Sequence, residues 1–361
     1  MKVCILSMQR VKNYGSLLQA YGLKKIVEKL INEQVYFEDI IPGEQNNLIN
    51  LETKVCKNRI SFFSRVRNRI QLELNNYEYL KFQRDFLHLS DKLLMYDVCI
   101  IGSDEVFNCT ENSKWGFTTQ LFGNVSNANK VITYAASAGK TKFEKVTTNR
   151  IYEITKAMKR LDAISVRDQN TFSFVYNILK YKPELHLDPV VISDFDKEIS
   201  LYGKRGKIKG RYCILYSYYH RFFDKNEVLE IKKFCKRNGL KIYSIEGPQT
   251  WIKKHLSYNP FEVLQCFKNA EFVITDTFHG TIFAAKYARK FAVYYRESNL
   301  NKLNDLVDRL SLQSHVITFT NTLEDVYQIN NDFLQMQKIE EREYSRTWHY
   351  LCEALDVKGE I

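Results

Sequence analysis

Two hydrophobic periods run along this chain, separated by polar punctuation. Short apolar runs with β-branched centres predict buried strands, and apolar residues at i, i+3, i+4 and i+7 predict helices. Lys2 to Ser7 predicts a first strand and Gln9 to Ser16 a loop. Leu23, Ile26, Val27 and Leu30 then predict a helix, with Ser16 as its N-cap. Val35 to Ile40 predicts the next strand. The loop of this βαβ opening lacks the G-x-G-x-x-G spacing, so a dinucleotide site is not supported. Asn13, Tyr14 and Gly15 either line a ligand cleft or form a plain tight turn. Residues 44 to 92 read as helical, with an apolar stripe through Phe62, Phe63, Val66 and Ile70. Asp97 to Ile101, Val131 to Ser137 and Leu161 to Val166 predict further buried strands.

Around Lys197 to Arg211 the apolar pattern fails, and residues 201–211 supply five basic residues and three glycines. This stretch reads as a linker. It divides the chain into an N-terminal α/β half, 1–196, with a helical basic insertion at about 44–92, and a C-terminal α/β half, 212–361. In the second half, strands are predicted near Tyr212–Tyr219, Leu240–Ile245, Phe272–Thr275, Phe291–Tyr295 and His315–Thr318. Helices are predicted near Asn226–Arg237, Pro260–Asn269, Gly280–Ala288 and Asn301–Leu310, with a long charged one over 331–355 that packs back across both halves. Alternating strands and helices indicate parallel α/β sheets.

The stretch from Glu271 to Arg296 carries the densest chemistry. Strand, polar loop and helix follow one another, and Thr277 can cap the helix, which puts His279 in or beside its first turn. A helix start offers unpaired N–H groups and a partial positive charge, so it suits an anion. With an anion bound, an imidazole there is more readily protonated and can act as an acid. Capping or packing is the ordinary role of a lone histidine, but this one stands at a βα junction beside Asp276 and Gly280. Asp104 follows a buried strand at its carboxyl end, where open α/β sheets hold ligands. It either serves a hydroxyl, as orienter or base, or caps the next helix. Arg167 also ends a strand. Its planar fork suits a carboxylate or phosphate, or a salt bridge to Asp168 or another acid.

Composition narrows the partners. The chain has 361 residues, 45% hydrophobic and 26% charged, which is ordinary for a globular protein with a large core. The formal charge of +11 points to anionic partners: phosphorylated metabolites, lipid head groups or nucleic acid. No nucleic-acid recognition motif accompanies the basic residues, so that class ranks last. Lys54, Lys57, Arg59, Arg65, Arg67 and Arg69 form a basic run, either a solvated face or a docking surface for acidic lipids. The eight cysteines form no C-x-x-C pair and read as reduced core residues of a cytoplasmic protein. The first residues do not read as a signal peptide, and no window approaches the ~18 apolar residues of a membrane span, so membrane contact is expected to be peripheral.

Six segments, NYGSLLQAYGL (13–23), DVCIIGSDEVFN (97–108), YAASAG (134–139), AISVRD (163–168), LDPVV (187–191) and NAEFVITDTFHGTIFAAKYARKF (269–291), occur in one order over about three quarters of the chain. As an ordered set they resemble the polysaccharide pyruvyl transferase family. Members often carry Gln and Trp where this chain has Glu105 and Phe107, and Asn-Ser where it has Asp276-Thr277. The resemblance implies two Rossmann-like domains similar to the glycosyltransferase B type, with the active site in the cleft between them. It implies transfer of a pyruvyl group from phosphoenolpyruvate to two hydroxyls of one sugar, forming a cyclic ketal. The acceptor is expected to be a cell-surface polysaccharide or its lipid-linked precursor. Carried over by motif, Arg167 is a donor-binding arginine and His279 the acid; Lys302 matches by spacing as a second cation, with Arg296 in reserve. Asp104 is assigned a hydroxyl proton, and Thr277, Gly280, Asn13, Tyr14 and Gly15 are placed at the substrate. The scheme calls for no metal or cofactor. The alternatives are a nucleotide-sugar glycosyltransferase of similar architecture and a non-catalytic glycan- or anion-binding protein.

Overall fold

A computed structural model describes residues 1–45, 62–89, 94–110 and 113–359, with side chains in the second segment from Arg65 onward. Among the expectations, Cys56, Lys54, Lys57, Arg59 and the side chains of Phe62 and Phe63 lie outside the described residues.

The first half builds a six-stranded sheet from β1 (Val3–Leu6), β2 (Tyr36–Phe37), β3 (Tyr96–Asp104), β4 (Ala128–Ala136), β5 (Ser165–Val166) and β6 (Glu184–Leu185), in the order β2-β1-β3-β4-β5-β6. The second builds a four-stranded sheet from β7 (Tyr212–Ser217), β8 (Lys241–Glu246), β9 (Phe272–Thr275) and β10 (Phe291–Val293), in the order β10-β9-β7-β8. The strand pairs in both sheets are parallel. Parallel strands need crossovers, and helices supply them: α1 (Tyr14–Ile31), α2 (Phe62–Phe86), α3 (Thr148–Met158) and α4 (Gln169–Leu179) in the first half. After α5 (Pro189–Ile192) and α6 (Asp196–Tyr202), the second half has α7 (Lys225–Arg237), α8 (Pro260–Asn269), α9 (Phe278–Tyr287), α10 (Leu300–Leu310), α11 (Leu323–Tyr327) and α12 (Phe333–Leu355).

The strand order reverses once in each sheet, between β1 and β3 and between β7 and β9. Chains leaving the carboxyl ends of such neighbours diverge to opposite faces and leave a crevice. This topology decides where a ligand can sit.

Helices between the sheets form one apolar interior. Leu17 and Leu18 of α1, Val191 of α5, Leu264 of α8, Phe283 of α9 and Leu351 of α12 belong to one buried cluster that spans the two halves. Strand β3 shows the period-two division: Val98 and Ile100 face that cluster, while Cys99 and Ile101 face a second one on the outer side of the sheet. Helix α12 binds the halves together. Tyr350 donates to the Thr133 carbonyl at 2.6 Å, and Glu340 pairs with Lys286 at 3.1 Å.

Several expectations shift. The N-cap of α1 is Asn13, whose side chain accepts from the Ser16 N–H at 2.7 Å; Ser16 lies one turn further in. The segment expected as a featureless linker begins inside α6 and continues into a short 3-10 turn, Lys204–Gly206, packed on α8. His315–Thr318 is not a strand. A 3-10 turn ends at His315, whose ring stacks on Phe291 at 3.9 Å, and Val316 makes a single bridge to Val293.

Helix α2 turns its apolar stripe outward. Val66 and Ile70, on the stripe that the sequence showed, are 43% and 56% exposed. The inward face carries Asn68, Asn75, Glu78 and Gln83 beside Tyr79 and Phe82. Three of these polar groups are held by partners across the molecule: Asn75 donates to the Glu246 carbonyl at 2.7 Å, Gln83 to the Gln9 carbonyl at 2.8 Å, and Glu78 accepts from Arg205 at 2.7 Å.

Glu246, at the end of β8, joins the halves. Its carboxylate accepts from Tyr216 at 2.8 Å, from the Tyr14 N–H at 3.1 Å and from Tyr79 at 3.2 Å. Burial raises this carboxyl to about 7, against those hydrogen bonds and the nearby His279, which lower it. An unfolded glutamate ionises near 4.5, so between there and about 7 the folded state holds a proton that the unfolded state has lost. Its contribution to stability is therefore full below about 4.5 and lost as pH rises through about 7. Urea unfolding at pH 5 and pH 8 checks this: Glu246→Gln should reduce the stability difference between the two by roughly 2–3 kcal/mol.

Candidate active site

A cleft of about 250 Å³ opens where the two reversal points face each other. The first half contributes Met8, Val11, Asn13 and Ser16 after β1, and Asp104, Glu105 and Asn108 at and after the end of β3. Trp115 and Arg167 stand in the same wall. The second half contributes Tyr218 after β7, Phe278 and His279 after β9, and Lys302 on α10.

Each functional side chain is placed by local structure. Thr277 is the N-cap of α9, accepting from the Gly280 N–H at 3.0 Å, so His279 sits in the first turn as the sequence indicated. The imidazole lies against Gly15 in the first turn of α1: a Cβ there would stand 2.1 Å from its Nδ1. Gly15 therefore admits the ring by having no side chain. The ring is 8% exposed, and its Nε2 is 3.4 Å from Asp188 Oδ2 without a hydrogen bond.

Arg167 emerges from β5 and is 2% exposed. Its Nη1 donates to Asp188 Oδ2 at 2.8 Å and lies 3.5 Å from Asp104 Oδ1, while its Cζ is 4.4 Å from the centre of the Phe278 ring. Its buried Nε has no hydrogen-bond partner. Burial opposes the guanidinium charge, but Asp188, Asp104, Asp168 and Glu105 overrule it and keep the group firmly protonated. Asp168, one expected partner, is occupied elsewhere. It caps α4 by accepting from the Thr171 N–H at 2.9 Å.

Asp104 does not cap a helix. Its backbone has φ 79°, a left-handed conformation that Asp tolerates better than most residues, and Ser16 donates to its Oδ2 at 2.6 Å. Lys302 reaches the cleft from α10 and holds Glu105 Oε1 at 2.5 Å. Burial would raise the Glu105 carboxyl, but the Lys302 ammonium and, more weakly, Arg167 bring it down to about 2.

Two acids in the site carried no assigned role in the sequence reading. Asp188 caps the short α5 and is completely buried. Burial would raise its carboxyl, but His279 and then Arg167 lower it to about 2. Its signal was the Asp-Pro pair, since proline at the first helical position favours an Asp cap before it. Glu105 was noticed only as a departure from the usual Gln.

Other expected site residues take structural places. Tyr14 is buried beneath the cleft, its N–H on Glu246 and its ring edge-on to Tyr79 at 4.9 Å. Gly280 packs against Thr275, Thr277 and Tyr216, where a Cβ would stand 2.2 Å from the Thr275 hydroxyl. Arg296 is not among the residues lining the cleft. Its Nε donates to Asp276 at 3.0 Å and its other arm pairs with Glu227 at 2.8 Å, so both sides of the fork are taken.

Two guanidinium or ammonium groups, an imidazole and two carboxylates thus surround one small polar space, with Trp115, Tyr218 and Phe278 as aromatic walls. Such a set can hold a small polyanion, deliver a proton to it and take one from a hydroxyl.

Comparisons with known proteins place the chain at the level of family. Solved structures resembling the chain include UDP-GlcNAc 2-epimerase from Methanocaldococcus jannaschii, at 12% identity and TM-score 0.46, covering 94% of this chain and 92% of that one. A UDP-glucosyltransferase from Polygonum tinctorium gives 8% identity and TM-score 0.42, covering 99% of each chain. The wall teichoic acid polymerase TagF gives 11% identity and TM-score 0.43, covering 98% of this chain and 88% of that one. Scores this low carry no functional weight. No curated protein matches the chain in sequence. The sequence pattern described as polysaccharide pyruvyl transferase matches residues 13–298, which contain every cleft residue discussed above except Lys302 and Met8 and Val11 at the start. The chain belongs to the polysaccharide pyruvyl transferase family.

Proposed function

We propose that this chain moves a pyruvyl group from phosphoenolpyruvate to two hydroxyls of one sugar, closing a cyclic ketal on a cell-surface polysaccharide or its lipid-linked precursor. The observation that carries this reading is the convergence of Arg167, His279 and Lys302, from both halves of the chain, on one cleft beside Asp188 and Asp104.

The donor carries a phosphate and a carboxylate. Arg167 has its Nε unsatisfied, and Lys302, paired with Glu105, can exchange that carboxylate for an anionic group of the donor. Together they hold the two anionic ends. His279 delivers its proton to the methylene carbon, and the neighbouring carbon takes on oxocarbenium character. The first sugar hydroxyl adds there and passes its proton to Asp104. The second hydroxyl displaces inorganic phosphate from the same carbon and closes the ring; its proton passes to the now neutral His279 imidazole, and the proton held by Asp104 leaves with the phosphate. Asp188 fixes the imidazole and the guanidinium relative to each other throughout. Trp115 and Tyr218 offer flat apolar faces for a sugar ring. This reading places the chain in the cytoplasm, and the seven cysteines among the described residues, all free thiols, suit a reducing compartment. Among the described residues no helix is long and apolar enough to cross a membrane.

Incubation with phosphoenolpyruvate and a panel of lipid-linked sugars, following inorganic phosphate and a mass gain on the acceptor, tests the reaction. No phosphate release with any acceptor, together with stabilisation by a sugar nucleotide instead, would overturn it. His279→Ala should abolish phosphate release while calorimetry still detects donor binding; unaltered turnover removes the imidazole from the mechanism. Arg167→Lys keeps a charge beside Asp188 but loses the fork, and should weaken donor binding about tenfold or more. Gly15→Ala displaces the imidazole without removing it. Turnover should fall by about 100-fold with donor affinity nearly unchanged, the signature of a misplaced reacting group.

A further inference from the structure

Helix α2 carries a stripe of apolar residues on its outside. Val66, Ile70, Leu74, Tyr77 and Leu80 are between 43% and 63% exposed. At 100° per residue they fall on one face, and they run over about 21 Å of helix axis. The opposite face, which packs on the protein, holds the buried polar residues Asn68, Asn75, Glu78 and Gln83 beside Tyr79 and Phe82. A solvated surface helix keeps its outward face polar. Exposed leucines scattered singly need no explanation, but a stripe four turns long does.

The charges around the stripe indicate what covers it. Arg65, Arg69, Lys81 and Arg84 are exposed on this helix, against exposed Glu73 and Asp85, the latter already paired with Arg84 at 2.8 Å. Two copies of this face meeting in register would bring together surfaces with an excess of like charge, in a chain whose formal charge is already +11. An anionic bilayer surface complements both features. The apolar stripe enters the boundary between head groups and acyl chains, and the long basic side chains reach back to the phosphates.

We infer that the outward face of α2 is a peripheral docking surface for membranes rich in anionic lipid. The inference is independent of the chemistry in the cleft, because none of these residues lines it. It also makes use of the basic run whose two readings the sequence left open.

Sedimentation of the full chain with vesicles of phosphatidylcholine alone, and with about one third phosphatidylglycerol, tests it. The wild-type chain should bind the anionic vesicles, bind the neutral ones at least tenfold more weakly, and dissociate in high salt. The double variant Ile70→Glu with Leu74→Glu should lose anionic-vesicle binding by tenfold or more while circular dichroism and donor binding stay unchanged, since both side chains are exposed. Arg65→Glu with Arg69→Glu should do the same through charge. Absence of vesicle binding by the wild type, equal binding by the apolar double variant, or a concentration-dependent dimer that the same variant abolishes would each overturn the inference; the last would assign the face to a second copy. Loss of vesicle binding with ketal formation intact on a water-soluble acceptor separates this surface from the cleft.

Discussion

Everything in the cleft turns on a carboxylate that water does not reach. Asp188 is completely buried, and taking an ionised acid out of water costs several kcal/mol unless partners compensate. Here the partners are the Arg167 guanidinium, the Val190 N–H at 3.0 Å, the Ser103 hydroxyl at 3.3 Å and the His279 ring. They come from four separate places in the chain. The acid is thus stable only when β3, β5, α5 and α9 are all docked, and that same docking brings the imidazole of one half beside the guanidinium of the other.

The sheet topologies make such docking productive. Each sheet reverses its strand order once, and the two reversals face the same cleft. Loops leaving the carboxyl ends of β1, β3, β7 and β9 then converge without long excursions. Close approach is needed as well, and Gly15 provides it by letting the His279 ring lie on the backbone of α1. Glu246 works from behind. It takes up the Tyr14 N–H, one of the donors left unpaired at the start of α1, and so anchors that helix to the second half through a buried acid.

Helix α2 follows a different logic from the other long helices. Its inward face sets polar residues beside Tyr79 and Phe82 because it meets strand ends and loops, whose backbone carbonyls and carboxylates need donors and acceptors as well as apolar contact. Its outward face is apolar, with basic residues alongside. A helix with both faces partly apolar has no clear one-sided pattern, so the sequence showed the stripe through Val66 and Ile70 without showing which way it faces.

The sequence by itself determined the alternation of strand and helix, most of the element positions, the helix start that holds His279 and the family to which the chain belongs. These are written locally: strand cores in runs of β-branched residues, helices in their period, and Thr277 one turn before the residue whose N–H it binds. The same local signals placed Asp104 and Arg167 at strand ends. Only the tertiary structure decided which of these residues meet. Arg296 and Lys302 are six positions apart and equally basic, yet the first is held by Asp276 and Glu227 and the second lines the cleft. Asp188 and Glu246 looked like ordinary acids because their importance comes from burial and from partners far along the chain. Tyr14 and Gly15 are adjacent, and one turns into the interior while the other makes room for a ring. Such choices depend on which surfaces exclude water when the halves close, and no window of sequence contains both sides of that contact.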